Sequence, residues 1–406
     1  MNPLPMVLAD MRAMRGTGPI TVLLIGLAVA IGVAVGMQER ALRESSARAA
    51  ADFPLVIGAP SSQTQLVLTS VYLQLEALPL IPGTILRDLE ADPQVAAVAP
   101  LAYGDVAFGY PIVGTTLDFV TRWRKVTPTE GRLFETEGEV VVGADVRFAV
   151  GETIAPSHHG SDARPGIEGE DEHAHRHDVN YRIVGRLPRL NSPWDRAILA
   201  PIESVWETHG LGDGHAGEEG RLGAPFMDAP GVPAIVVKPR TVADAYRLRA
   251  KYRQGGTMAV FPAEVLTSLY VAIGDARDII VAMAALNNVV VLLAVTLLLI
   301  TLAGTRVKRY AMLRALGASR TYVWAVVGLN GAILVFIGCM LGLGLGWAGS
   351  RVVSWLLHDR TGLVLSPQPA WDDIALCASI LAAGTALSAI AALTVARRPV
   401  SETLRS

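Results

Sequence analysis

The chain has 406 residues, 51% hydrophobic and 18% charged, with 37 carboxylates against 35 basic side chains for a net charge of -2. That balance excludes an ordinary soluble enzyme, and the near-neutral charge leaves no basic footprint for nucleic acid. Both cysteines, Cys339 and Cys377, lie inside apolar runs, so they make neither a disulfide framework nor a zinc spacing.

Arg12 and Arg15 precede an apolar run at 19–37 that is long enough to span a bilayer, and this basic flank puts residues 1–18 on the cytoplasmic side. A secretory signal peptide is the rival reading, but the run exceeds a usual apolar h-region and no clear A-x-A site ends it. Within the span Ala28, Gly32 and Gly36 recur every four residues, one flat face for close helix packing.

Residues 38–277 hold no spanning run and are rich in charge, proline and glycine; by alternation they form an extracytoplasmic α+β domain. Residues 38–50 continue the first helix as a polar stalk. Strands are expected at 54–57, 65–69, 95–98, 110–113, 139–142, 181–186, 197–200, 232–237 and 258–261, and helices at 83–90, 144–149, 202–208 and 242–253. The stretches 156–180 and 210–230 are polar, rich in Gly, Asp, Glu and His, and read as mobile loops. In 192–196, Ser-Pro-Trp-Asp-Arg, a turn with a structural Trp194 and an Asp–Arg contact is expected rather than a site.

A second span is expected at 278–304, followed by the loop 305–322, in which Arg306, Lys308, Arg309, Arg314 and Arg320 occur without one acidic residue. Such a loop belongs on the cytoplasmic side. The third span, 323–348, repeats Gly338, Gly342 and Gly346 every four residues, and the fourth, 374–396, carries Gly384, Ser388 and Ala392 at the same spacing. Between them 349–373 reads as an outer loop of mixed charge with Trp355 and Trp371 as interface anchors, and 397–406 returns to the cytoplasm. The expected fold is therefore a membrane α-helical chain, four transmembrane helices in a 1+3 arrangement, with the α+β domain between the first and second.

The stretch 308–327, KRYAMLRALGASRTYVWAVV, together with this layout, resembles the FtsX-like permeases, which include the MacB and LolC/LolE type of ABC transporter. The resemblance implies a bacterial inner-membrane protein with both termini cytoplasmic, working as a homodimer beside a separate ABC ATPase, with a periplasmic adaptor or binding protein as a further candidate partner and lipids around its spans. It also implies that 307–320 is a short coupling helix docking on the ATPase, with Val307, Tyr310, Leu313, Arg314, Leu316, Gly317 and Arg320 as its residues. Independently, Tyr310, Leu313 and Leu316 can share one side of a short helix that Gly317 stops. The plain alternative is a solvated basic loop touching headgroups. No G-x-x-x-x-G-K-[ST] motif occurs, so ATP is engaged only through the partner and the chain is read as a non-catalytic subunit.

Five of the 8 histidines, His158, His159, His173, His175 and His177, fall in one acidic stretch with Glu168, Glu170, Asp171, Glu172 and Asp178. Imidazole and carboxylate together suit Zn2+ or another divalent transition metal, while an incidental hydrophilic loop remains the alternative. Neither H-E-x-x-H nor G-x-S-x-G accompanies them, which disfavours hydrolysis. Three functions follow: a permease subunit moving metal, lipid, lipoprotein or peptide; a mechanotransmitter activating an outer partner such as a cell-wall hydrolase; and a metal-binding membrane receptor without a motor.

Overall fold

The structure, a computed structural model, describes residues 2–14, 16–74, 76–156, 180–215, 220–269, 312–361 and 365–397, with Ala282, Leu286, Val289, Leu293 and Leu297 as isolated helical positions. It divides into two units, one of Met1–Arg43, Ile273–Leu356 and Leu365–Ser406, the other of Glu44–Ala272 and Leu357–Val364.

The second unit is built on a mixed ten-stranded sheet. Its strands are β1 Leu55–Gly58, β2 Val95–Ala107, β3 Tyr110–Thr115, β4 Glu130–Gly131, β5 Glu139–Val142, β6 Thr153–Ile154, β7 Tyr181–Arg186, β8 Ile198–Pro201, β9 Ala234–Pro239 and β10 Met258–Val260. They lie in the order β10-β1-β9-β2-β3-β8-β5-β7-β4, with β6 beside β7. The β3–β8 and β5–β7 pairs are parallel and the others antiparallel. Side chains alternate across a strand, so in β9 Ile235 and Val237 enter one core while Ala234 and Val236 enter the other. Both faces are covered, which is why β1, β5, β8 and β9 read as unbroken apolar runs.

One core receives Leu86 and Leu89 of helix Thr84–Glu90, Ile202, Val205 and Trp206 of helix Ile202–Thr208, and Leu248 of helix Val242–Lys251. The opposite core receives Leu66 and Val67, Phe119, and Trp194 of the 3-10 turn Pro193–Arg196.

Three expectations for this unit need correction. Residues 65–69 are not a strand but lie in helix Gln63–Tyr72, which Ser62 caps by accepting the Gln65 N–H at 3.3 Å. Residues 144–149 form no helix, because the Gly143 and Asp145 N–H groups bond to the Ala197 and Asp195 carbonyls at 2.9 and 2.8 Å instead. Two points of 210–230 are packed rather than loose: His215 and Phe226 are buried, stacked on each other at 5.2 Å, with Phe226 edge-on to Trp206.

Among the described residues three helices are long and apolar enough to cross a bilayer, within Thr17–Ala50, Arg320–Thr361 and Trp371–Arg397. The expected second span, 278–304, lies outside the described residues apart from isolated positions, of which Leu286, Val289, Leu293 and Leu297 are exposed. The polar continuation at 38–50 is helical as expected. The expected outer loop 349–373 begins instead as helix: Arg320–Thr361 runs for 42 residues, because no helix breaker follows Gly349 before Gly362. At ~1.5 Å per residue it rises about 63 Å, twice a ~30 Å hydrocarbon core. A helix the sequence reading passed over, Leu4–Ala13, precedes the first long one.

Candidate functional site

The sequence places chemistry-bearing groups in three places: the basic loop, the glycine ridge and the histidine stretch. In the loop, Val307 and Tyr310 lie outside the described residues, and 312–315 is helical. Gly317 then adopts φ +100°, a left-handed conformation that glycine takes without strain, and the Gly317 and Ala318 N–H groups bond back to the Arg314 and Leu313 carbonyls at 3.1 and 3.0 Å. Ser319 starts the next helix by accepting the Tyr322 N–H on its hydroxyl at 3.2 Å. Gly317-Ala318-Ser319 is thus a junction in which one helix is stopped and another capped within three residues.

The expected shared face of Leu313 and Leu316 is not found. Leu313 is half-buried with Met6 and Met11 against Val7, Val323 and Val326, so the N-terminal helix Leu4–Ala13 covers it. Leu316 sits in the turn after the helix and is 86% exposed. Its exposed apolar companion is Met312, which sequence reasoning missed although the i, i+4 spacing was there to find it. Arg314 is half-buried and Arg320 exposed.

The ridge glycines lie against neighbouring helices. A Cβ added to Gly338, Gly342 or Gly346 would lie 2.7, 2.5 or 2.9 Å from the Cβ of Ile25, Val29 or Val33, and one added to Gly384 would lie 2.9 Å from Val335. The first long helix therefore meets the ridge with branched side chains, not with its own small-residue face. Gly32 is half-buried, and Gly36 lies beside the Arg40 guanidinium and the Asp373 carboxylate. Beyond the ridge the contacts turn polar. Gln38 donates to the Ser350 carbonyl at 2.7 Å, and Arg40 pairs with buried Asp373 at 2.6 Å. Asp373 also accepts the Ala370 N–H at the start of helix Trp371–Arg397.

His158, His159, His173, His175 and His177 lie outside the described residues. His215 is buried, with Nε2 3.3 Å from the Glu203 carboxylate. Among the described residues no group of three or more His, Cys, Asp or Glu side chains could hold a metal.

The sheet unit carries further perturbed groups. Burial pushes the Glu203 carboxyl up, although the Gly223 N–H, at 2.6 Å, and His215 stabilise its charge. Glu137 is pushed up to about 7 by burial, by its hydrogen bond to Glu207 and by the charges of Glu207, Glu203 and Asp213. Where the chain passes from helix Thr17–Ala50 to β1, Arg122 is buried between the rings of Phe119 and Trp194, 4.4 and 4.7 Å from their centroids, with Asp52 at 3.5 Å. Burial lowers the Arg122 pKa to about 10 despite the opposing carboxylates of Asp52 and Asp195. Arg122, Trp123 and Arg124 all have positive φ, and Trp123 donates its indole N–H to the Asp52 carbonyl. At 192–196 the turn is as expected, with Trp194 buried, and the Asp195 carboxylate accepts the Leu190 and Asn191 N–H groups.

No curated protein matches the chain. Among solved structures, the periplasmic region of MacB from Actinobacillus actinomycetemcomitans aligns with 54% of this chain and 94% of its own, at 9% identity and TM-score 0.32. The extracellular domain of the noncanonic ABC-type transporter YknZ from Gram-positive bacteria aligns with 51% and 98%, at 9% identity and TM-score 0.30. The family model of the FtsX-like permease C-terminal region matches residues 281–400, the part that holds the Gly-Ala-Ser junction and the glycine ridge. Over those residues the chain is similar to the FtsX-like permease C-terminal family.

Proposed function

We propose that the chain is the permease subunit of an ABC transporter of FtsX/MacB type, passing ATP-driven motion from a separate ATPase to its sheet domain. The observation that carries this reading is the exposed apolar pair Met312 and Leu316, where a helix ends and the Gly317 turn begins, with Arg314 and Arg320 close in sequence, all within the matched segment. Exposed apolar groups among basic ones suit a protein partner that closes over them. Helix Thr17–Ala50 is joined to β1 by 51–54, where Asp52 pairs with Arg122 and Phe53 packs on Phe119 and Trp194, so motion of the helix would be passed through this segment. The subunit works as a homodimer in a bacterial inner membrane, with both termini cytoplasmic.

The test is co-purification. Replacing Met312 and Leu316 by Asp removes the ATPase from the purified complex while the chain still inserts; retention of the ATPase contradicts the reading. The histidine stretch 156–180 is proposed to ligate zinc or a similar divalent ion on behalf of the transported or sensed species. Its neutral imidazoles are the ligands, so affinity falls as pH drops through about 6.5. Zinc titration of the chain with His173, His175 and His177 all replaced by Ala checks this: undiminished binding rejects it.

A further inference from the structure

Three successive residues of the sheet unit hold a left-handed backbone: Arg122, Trp123 and Arg124 have φ +47°, +61° and +68°. A Cβ disfavours that conformation at each position, and glycine, which adopts it freely, occupies none of them. Such backbone persists where its surroundings impose it, and it gathers at clamps and switch regions.

What imposes it here is the link 51–54 between helix Thr17–Ala50 and β1. The Asp52 carboxylate lies 3.5 Å from Arg122 Nε, and the Asp52 carbonyl accepts the Trp123 indole N–H at 3.3 Å. Phe53 packs on Phe119 at 5.2 Å and on Trp194 at 5.7 Å, the two rings that sandwich Arg122. Arg122 itself is 2% exposed, so removing Asp52 would leave a buried guanidinium without the carboxylate paired to it. Link and turn thus depend on each other.

The two sides of this contact are not held alike. Trp194 is a fixed seat, its indole N–H donated to the Val71 carbonyl at 3.2 Å. The Asp52 side chain is 30% exposed and meets water on one side. The end of the long helix is anchored independently, since the Tyr72 hydroxyl donates to the Ser46 carbonyl at 3.3 Å and Ala49 and Ala50 are buried. Release of Asp52 and Phe53 would therefore free the link while the helix end stays docked on helix Gln63–Tyr72.

We propose that the turn at 122–124 is a strained catch, which holds the link 51–54 rigid when closed and leaves it a hinge when open. Closing gains the contacts of Asp52 and Phe53, but it forces left-handed backbone on three residues and keeps a cation out of water, so the two states lie close in stability. Use of the catch to pass or interrupt motion between helix and sheet rests on the permease reading; the catch itself does not.

Hydrogen exchange of the full chain in lipid nanodiscs, read by mass spectrometry without any ATPase, tests it. The Phe53 N–H, bonded to the Ala50 carbonyl at 3.1 Å, reports the link, and the Trp123 and Lys125 N–H groups, bonded to the Asp118 and Thr121 carbonyls at 2.6 and 2.9 Å, report the turn. Segments 51–53 and 121–126 are expected to exchange together and at least about tenfold faster than β5 and β8, whose amides open with the sheet core. Arg124→Gly relieves strain at a side chain that is 88% exposed. It should slow both segments about fivefold after correction for intrinsic rates. Asp52→Ala should speed both about tenfold by stranding the Arg122 charge. Exchange of either segment only at the core rate, or a link in Arg124→Gly that exchanges as fast as the parent's or faster, overturns the proposal and leaves the permease reading untouched.

Discussion

Leu316 exposes 86% of its surface, while Leu313 packs with Met6 and Met11 against Val7, Val323 and Val326. The two leucines therefore answer differently to the same substitution. Leu316→Asp leaves thermal stability within about 0.5 kcal/mol, as surface changes do, while removing the partner; Leu313→Asp lowers stability, because it buries a charge in an apolar cluster. Thermal unfolding measured beside co-purification separates the two. Glu137 gives a pH prediction. Its folded pKa of about 7 lies above its ordinary 4.5, so its contribution is fully present below about pH 4.5 and is lost as pH rises through 7. The sheet unit's unfolding temperature should fall between pH 5 and pH 8, with a shallower slope in Glu137→Gln; an unchanged slope rejects this assignment. At this scale Gly317 was legible because only a helix stop explains a glycine there, whereas the covering of Leu313 depends on a helix 300 residues away in sequence, which local pattern does not report.

Helices and strands follow the same division. Strands buried on both faces were legible as Val and Ile runs, and β5 and β7 lie at their expected places. The helix Gln63–Tyr72 was misread because Leu66, Val67, Leu68 and Thr69 have strand-like character, although Ser62 and Gln65 form a capping signature that outweighs it. The glycine ridge was legible from spacing alone, but its partners were not, since Ile25, Val29 and Val33 look like any lipid-facing run. Gly342→Leu should cost about 1–3 kcal/mol by overpacking against Val29, and Gly344→Leu, which meets nothing within 4 Å among the described residues, should cost much less. Equal loss of thermal stability in the two would remove the ridge from the packing. Arg122→Met, which keeps bulk between Phe119 and Trp194, should be less harmful than Arg122→Ala.

For the whole molecule, the division into an apolar helical part and a large sheet domain was legible in composition, since charge, proline and glycine concentrate in one long stretch. The catch at 122–124 was not, because Asp52, Phe53, Arg122 and Trp194 lie far apart in sequence and meet only in the folded unit. Cysteine labelling from outside should mark a residue introduced at Asp213 and spare one at Ser319, and the reverse pattern would invert the topology. The central claim is that the segment ending at Gly317 grips a separate ATPase. The most direct test is a photo-crosslinking amino acid at position 316 in living cells: the account predicts a covalent adduct with a nucleotide-binding subunit, lost when Met312 is replaced by Asp, whereas adducts with lipid alone would contradict it.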